Sequence, residues 1–220
     1  MKVVARIHND FPTKFGVPRQ SLLSPSLLSE IVFEPEFRNA DALRGLEGFS
    51  HIWLLWDFSE FHSEGWSPTV RPPRLGGNVR LGVFATRSPN RPNPIGLSCV
   101  RLEKIELDSP DGPRLTVSGA DLCDGTPILD IKPYLPGVDS HPEASEGFVG
   151  ETPRVRLSVL IPEGSSAEGL DEGRLRTLRE VLAEDPRPAY QKDPERVYAL
   201  AYAGRDIRFR VCDDVLTVLP

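Results

Sequence analysis

The chain has 220 residues, of which 39% are hydrophobic and 26% charged, and its formal net charge is −6. This length can bury one full hydrophobic core and leaves room for a second, smaller domain. No apolar run approaches the roughly 20 residues of a membrane span, and "MKVVARIHND" lacks the apolar core of a signal peptide. We therefore expect a cytoplasmic protein with no membrane partner.

Short apolar segments with period-two alternation dominate the first three quarters of the chain, and this pattern is typical of strands. Within 96–107 the apolar positions change phase, which indicates a β-bulge, and Asp111-Gly112 predicts a hairpin turn. A short helix is predicted over 39–49. Seven or so strands separated by turns predict a closed or nearly closed barrel. The strands are predicted at 3–7, 52–56, 80–84, 96–107, 115–118 and 155–161.

The last quarter of the chain has a different pattern. After the linker "IPEGSSAEG", residues 168–184 place Leu175, Leu178, Val181 and Leu182 on one helical stripe, and three strand-like segments follow. The predicted fold class is therefore mainly β, with an antiparallel single-sheet β-barrel over 1–163 and a small C-terminal α+β domain over 164–220.

The negative total charge conceals a basic segment. Residues 65–102, which we call the acid-free segment, contain no Asp or Glu, although the chain has 32 acidic residues. Such a gap favours an anion-binding face, and the alternative is a chance stretch of singly solvated arginines. The arginines of this segment are Arg71, Arg74, Arg80, Arg87, Arg91 and Arg101.

A proline-rich loop, "GVFATRSPNRPNPIG" (82–96), ends this segment. Each of its three prolines removes a backbone donor and fixes φ near −65°. We predict a rigid loop that does not fold onto its own hydrogen bonds. The side chains expected to face outward are those of Arg87, Ser88, Asn90, Arg91 and Asn93.

Two further stretches carry polar groups that suit a ligand. In "FGVPRQ" (15–20), Pro18 stiffens the chain while Arg19 and Gln20 offer donors and an acceptor, although a plain surface turn has the same composition. In "DLCDGTPILDIKPYLP" (121–136), Asp130, Lys132 and Tyr134 alternate and share one face of a strand. That face is either a solvated rim or a place where a proton is transferred.

Several kinds of chemistry have no support in the sequence. The three cysteines lie far apart and the four histidines lack metal-ligand spacing, so we expect buried thiols and no metal. The sequence has no recognisable order of Ser, His and Asp residues typical of a catalytic triad, and no Walker or G-x-G-x-x-G motif. It therefore does not support a covalent hydrolase or one of the common nucleotide-binding folds.

Four stretches taken together resemble a known family: "FGVPRQ", residues 65–96, "DLCDGTPILDIKPYLP" and "DPRPAY" (185–190). They closely resemble the bacterial tRNA threonylcarbamoyladenosine N6-methyltransferase family, whose members are S-adenosylmethionine enzymes built on a single-sheet β-barrel. The resemblance covers essentially the whole chain. It implies a homodimer that binds S-adenosylmethionine in the barrel domain and methylates the modified adenosine beside the tRNA anticodon.

Matching positions imply a cofactor pocket assembled from several loops. One departure is that this chain has Phe58-Ser59-Glu60 where many relatives read Phe-His-Gln, so a histidine contact is missing there and His62 is the nearest replacement. The implied cofactor residues are Pro18, Arg19, Gln20, Phe58, Ser59, Arg87, Leu97, Asp121, Leu122, Asp124, Gly125 and Thr126.

The chemistry implied by the resemblance requires alignment and a base. Methyl transfer from a sulfonium is an in-line displacement, and the urea nitrogen of the substrate is a poor nucleophile that a nearby base would assist. We nominate Asp130 or Tyr134 as the proton acceptor, with Lys132 as a tuning charge. The residues expected to hold the anticodon loop are Arg71, Arg74, Arg80, Arg91 and Asn93.

The sequence leaves two other functions open. The first is a barrel that senses S-adenosylmethionine or binds RNA without transferring a group. The second is a hydrolase of a phosphorylated small molecule, which would need a metal ion.

Overall fold

The computed structural model describes residues 1–61, 65–151, 156–188, 191 and 193–220. Four positions that the sequence analysis used, His62, Val155, Ala189 and Tyr190, lie outside the described residues, and so does the side chain of Arg74.

Six antiparallel strands close into a barrel in the order β1-β2-β7-β6-β3-β8. In β3, for example, Ile52, Leu54 and Trp56 face the barrel core while the residues between them face outward. The mainly β fold with a closed barrel is thus confirmed. The first eight strands are β1 (Ala5–His8), β2 (Leu28–Phe33), β3 (His51–Asp57), β4 (Thr69–Val70), β5 (Leu81–Gly82), β6 (Ile95–Glu106), β7 (Arg114–Ser118) and β8 (Pro127–Pro133).

Two local predictions need correction, and one is confirmed. The predicted helix over 39–49 is a pair of 3₁₀ helices, Ala40–Leu43 and Leu46–Gly48, because Gly45 between them adopts a left-handed φ of 87°. The predicted strand over 80–84 is only the two residues of β5, which pair with β4 in a separate ribbon. The β-bulge is confirmed by a register shift between Leu102 and Lys104 in β6.

A second sheet forms in the C-terminal part of the chain, in the order β10-β11-β12-β9, and β9 runs parallel to β12. Helix α2 (Glu172–Ala183) begins at the N-cap Asp171 and buries Leu178, Val181 and Leu182 in the core of this sheet. A one-turn helix, α1 (Pro136–Asp139), follows the barrel. The strands of the second sheet are β9 (Ser158–Leu160), β10 (Tyr198–Tyr202), β11 (Arg205–Cys212) and β12 (Val215–Val218).

The N-terminal segment between β1 and β2 connects the two cores. Phe11 and Leu27 are buried in the core of the second sheet, and Asp10 forms an ion pair with Arg174 of α2 at 2.8 Å. Strand β9, which the sequence analysis grouped with the barrel, makes its hydrogen bonds in the second sheet. The division of the chain at 163/164 stays a prediction.

Thr177 joins α2 to this N-terminal segment, because its buried hydroxyl donates to the carbonyl of Ser26 at 2.9 Å. Thr177→Val preserves the shape but leaves that carbonyl unpaired, so we expect the free energy of unfolding to fall by about 1 kcal/mol. Urea denaturation measures the change. Thr177→Ser keeps the hydroxyl and is the matched control; equal losses in both variants would contradict the role of the hydrogen bond.

The three cysteines differ in their exposure to solvent. Cys99 and Cys123 are partly buried free thiols, while Cys212 is exposed, so the expectation of buried thiols is wrong for Cys212.

Within the described residues, no group of three or more His, Cys, Asp or Glu side chains could hold a metal ion. The helices in the described ranges lack the length and apolar character needed to cross a bilayer.

Candidate functional site

Three of the predicted cofactor residues, from three separate parts of the sequence, meet at one place. Arg87 Nη1 donates to Gln20 Oε1 at 2.6 Å, and the Arg87 charge acts on the carboxyl group of Asp121. The backbone of Ser21 also hydrogen-bonds to that carboxyl. We call Gln20, Arg87 and Asp121 the Arg87 cluster; it joins the N-terminal loop, the proline loop and the segment after β7.

A relay of hydrogen bonds supports Asp121 from inside the barrel. Trp56 Nε1 donates to Ser98 Oγ at 2.9 Å, and the Ser98 hydroxyl donates to Asp121 Oδ1. The indole lies directly against Gly96, where an added Cβ would come within 2.2 Å of the ring. Sequence reasoning missed Ser98; its place two residues after Gly96, on the same face of β6, is the signal that could have revealed it.

The environment of Asp121 shifts its ionisation. Burial raises the pKa of its carboxyl from about 3.8 to about 6, although the hydrogen bond from Ser98 and the charge of Arg87 oppose the rise. The carboxylate is thus charged at neutral pH. Because this charge is buried in the folded state, it lowers the free energy of unfolding.

Asp121→Asn should therefore stabilise the protein in alkaline solution. Between pH 4 and 6 the folded wild type holds a proton that the unfolded chain has lost, so its stability falls as the pH rises and levels off above pH 6. At about 1.4 kcal/mol per pKa unit, and allowing for partial exposure, we expect the variant to exceed wild type by about 2 kcal/mol at pH 8 and to match it at pH 4.

Urea unfolding at the two pH values measures this difference. Ser98→Ala is the matched control. Loss of its hydrogen bond raises the pKa of Asp121 further, so the stability of this variant should fall more than that of wild type between acid and neutral pH. Equal stabilities of wild type and Asp121→Asn at pH 8 would contradict the assignment.

Pro18 and Arg19 lie toward the second sheet. Arg19 Nη2 donates to the carbonyl oxygens of Asp185 and Arg187 at 3.0 and 2.9 Å. Pro18 is buried and lines a groove of about 140 Å³ beside α2. Arg19 therefore ties the loop that carries Gln20 to the start of the "DPRPAY" segment, and direct contact of Arg19 with a cofactor stays a prediction.

The 122–126 stretch is bound to the N-terminal strand. Asp124 Oδ1 accepts from the backbone N–H of Asn9 at 3.1 Å and lies 3.1 Å from His8 Nδ1. Leu122 is buried, and its carbonyl accepts from the Asn9 side chain at 2.9 Å. Gly125 and Thr126 complete the turn, with Gly125 at a left-handed φ of 76°. These contacts join the stretch that follows Asp121 to the end of β1.

The remaining cofactor residues lie just after β3 and within β6. The Phe58 ring lies 4.2 Å from that of Trp56, and the Phe58 N–H donates to the carbonyl of Pro94 in the proline loop at 2.8 Å. Ser59 begins the 3₁₀ helix Ser59–Phe61 and is exposed. Leu97 is 51% exposed on the outside of β6 and is available for an apolar contact.

The nominated catalytic residues lie on the outer wall of the barrel. Lys132 Nζ and Asp130 Oδ2 form an exposed ion pair of 2.9 Å, and the Tyr134 ring packs 5.6 Å from that of Trp53. In the strand register Leu55 lies between Leu97 on one side and Asp130 on the other. Two strand spacings separate Asp130 from Leu97, a distance of about 10 Å between Cα atoms. The contacts of Asp130 do not involve the Arg87 cluster, and its catalytic role stays a prediction.

Most of the described arginine side chains of the acid-free segment are exposed, and that of Arg91 is half-buried. Among the described residues, Arg71, Arg80, Arg87 and Arg91 form no ion pair with a carboxylate, whereas Arg101 pairs with Glu103 at 3.3 Å. Unpaired guanidinium groups on one segment suit an anionic ligand.

The proline loop itself differs from the prediction. Arg91 Nη1 donates to the carbonyl of Thr86 at 3.0 Å, and the N–H of Ser88 donates to the Thr86 hydroxyl at 3.3 Å. The prediction that this loop does not fold onto its own hydrogen bonds is therefore wrong. Arg87, Asn90 and Asn93 remain exposed.

Comparison with protein families covers most of the chain. Residues 6–140 match the model of the tRNA-methyltransferase O N-terminal domain, and residues 161–220 match that of the TrmO C-terminal domain. The chain belongs to the tRNA-methyltransferase O family. The resemblance carried by the four motifs is thus confirmed.

Individual members of this family are similar along most of their length. The tRNA (adenine(37)-N6)-methyltransferase of Escherichia coli K12 is 45% identical over 214 residues, which are 94% of this chain and 91% of that protein. The enzyme of the same name from Eikenella corrodens is 51% identical over 163 residues, covering 74% and 91%. The crystal structure of TrmO from Pseudomonas aeruginosa superposes with a TM-score of 0.79 at 34% identity, covering 99% of this chain and 95% of the other.

Proposed function

We propose that this protein transfers the methyl group of S-adenosylmethionine to N6 of N6-threonylcarbamoyladenosine at position 37 of tRNA, as a homodimer in the cytoplasm. The observation that carries the proposal is the Arg87 cluster, in which three motifs shared with the tRNA-methyltransferase O family converge. The names of the relatives, tRNA (adenine(37)-N6)-methyltransferases, support the position and the atom. The motif resemblance supports the threonylcarbamoyl group and the dimer, and a tRNA substrate supports the compartment.

The residues of the site fit the charges of S-adenosylmethionine. That molecule carries a carboxylate, an ammonium, a sulfonium and an adenine. The guanidinium of Arg87 suits the carboxylate, the carboxylate of Asp121 suits a cation, and exposed Leu97 suits the flat apolar face of a base. When bound, the cofactor supplies an electrophilic methyl group.

The chain's own contribution is alignment and proton removal. The Arg87 cluster fixes one end of the site. On the outer wall, the row Leu97, Leu55 and Asp130 places the Asp130 Cα about 10 Å from that of Leu97. Asp130 or Tyr134 accepts the proton of the substrate nitrogen, and Lys132 beside Asp130 holds that carboxylate in place. Unpaired arginines of the acid-free segment bind the phosphates of the anticodon loop.

The test is incubation of the protein with methyl-labelled S-adenosylmethionine and tRNA that either carries or lacks the threonylcarbamoyl group. We expect label in the modified tRNA only, at adenosine 37 after nuclease mapping. Label in neither tRNA, despite measurable cofactor binding, would favour a barrel that senses S-adenosylmethionine without transfer. Sedimentation of the protein tests the homodimer separately.

A further inference from the structure

Two exposed aromatic rings lie side by side on the acid-free segment. Trp66 is 53% exposed and Phe84 is 75% exposed, and their ring centroids are 6.2 Å apart at an interplanar angle of 32°. Neither ring belongs to the two hydrophobic cores. Exposure of two large neighbouring rings marks a surface that binds something.

The β4–β5 ribbon holds the two rings in place. Thr69 pairs with Gly82 and Val70 with Leu81, so Trp66 precedes one strand and Phe84 follows the other. The N–H of Val83 donates to the carbonyl of Pro68 at 3.0 Å, and the side chain of Val83 is buried directly before Phe84. The rings are thus positioned by backbone pairing and by a buried anchor, before any ligand arrives.

Positive charge lies at the other end of the same ribbon. Arg71 and Arg80 each lie one residue beyond the Val70–Leu81 pair, both are exposed, and Arg80 Nη1 donates to the Thr69 hydroxyl at 3.2 Å. The segment contains no acidic residue. Rings and unpaired guanidinium groups on one short ribbon match the two features of a single-stranded nucleic acid, its base faces and its phosphates.

We propose that Trp66 and Phe84 form a platform on which unpaired bases of the RNA substrate stack, while Arg71 and Arg80 hold the neighbouring phosphates. The choice of tRNA as that RNA rests on the proposed function. A two-fold protein interface centred on this ribbon is disfavoured, because it would bring the same arginines of two copies together. The platform recognises a loop and rejects a duplex, whose bases are already stacked.

The experiment compares an anticodon stem-loop RNA with a fully paired duplex of equal length, using fluorescence anisotropy over a series of salt concentrations. Trp66→Ala and Phe84→Ala are expected to raise the Kd for the stem-loop about tenfold each without changing the salt dependence. Arg71→Ala should instead flatten the slope of log K against log salt by about one unit. Trp66→Phe and Phe84→Tyr keep a ring and should stay within about threefold of wild type.

Several results would overturn the platform. These are wild-type affinity for the stem-loop in both alanine variants, an equal loss of affinity for stem-loop and duplex, and a change of oligomeric state in Trp66→Ala, which would identify a protein interface. Circular dichroism and the ring-retaining variants separate a binding defect from misfolding. If the rings are needed for binding but no tRNA is methylated, the platform is supported and the proposed function is contradicted. If both alanine variants methylate tRNA with normal kinetics, the proposed function is supported and the platform is contradicted.

Discussion

Replacing Arg87 with alanine is expected to lower the affinity for S-adenosylmethionine at least 100-fold. Arg87 connects two loops through its hydrogen bond to Gln20 and places a positive charge near Asp121. Its removal deletes the cation that suits the cofactor carboxylate, frees Gln20 and raises the pKa of Asp121. Arg87 and Gln20 are exposed in the free protein. A bound carboxylate would cover the guanidinium, and without Arg87 that carboxylate would be left unpaired, so the effect is large. Isothermal titration with the cofactor or its demethylated product measures the change.

Arg101→Ala is the matched control for this experiment. Arg101 lies in the same acid-free segment but pairs with Glu103 on β6, so its loss should change cofactor affinity less than twofold. Arg87→Lys keeps the charge without the planar fork and should be intermediate. Affinity of Arg87→Ala within threefold of wild type would show that the Arg87 cluster does not bind the cofactor.

The barrel could be predicted from the sequence because its signals are local. The continuous apolar run at 52–56 predicts β3, and the phase change in β6 predicts the bulge. The two 3₁₀ helices were not predicted, since apolar spacing does not show that Gly45 breaks the turn. The parallel pairing of β9 with β12 was also missed, because its partner lies more than 50 residues away along the chain.

The site was predictable as a set of residues and not as a set of contacts. The family resemblance places Gln20, Arg87 and Asp121 in one pocket. Spacing along the chain does not show which of them contact one another, or that Arg19 faces away toward Asp185. Such contacts depend on the closure of the barrel and on the docking of α2. Each joins positions that are distant in sequence, and spacing along the chain carries no information about them.

Asp130→Asn is expected to slow methyl transfer in a single turnover about 100-fold, with little change in the affinity for cofactor or tRNA. The nitrogen of the substrate shares its lone pair with a carbonyl and an adenine ring, which makes it a poor nucleophile. Removal of its proton is therefore the largest contribution that a side chain can make to the rate of methyl transfer. Asparagine has the same shape and still accepts the hydrogen bond from the N–H of Ile131, but it cannot take a proton. The fold is therefore unchanged, and only the exposed ion pair with Lys132 is lost.

Rapid-quench measurement of labelled tRNA distinguishes the nearby groups. Lys132→Gln removes only the neighbouring charge and should slow the step less than Asp130→Asn, since Lys132 holds the carboxylate without accepting the proton. If Asp130→Asn stays within twofold of wild type while Tyr134→Phe is slow, the phenol is the acceptor. If both are fast and Asp121→Asn is slow at saturating cofactor, the carboxyl with the pKa of about 6 fills the role, because a base that titrates near neutrality is well matched to the reaction. The three acceptor variants, Asp130→Asn, Tyr134→Phe and Asp121→Asn, thus assign the proton to the outer wall or to the Arg87 cluster.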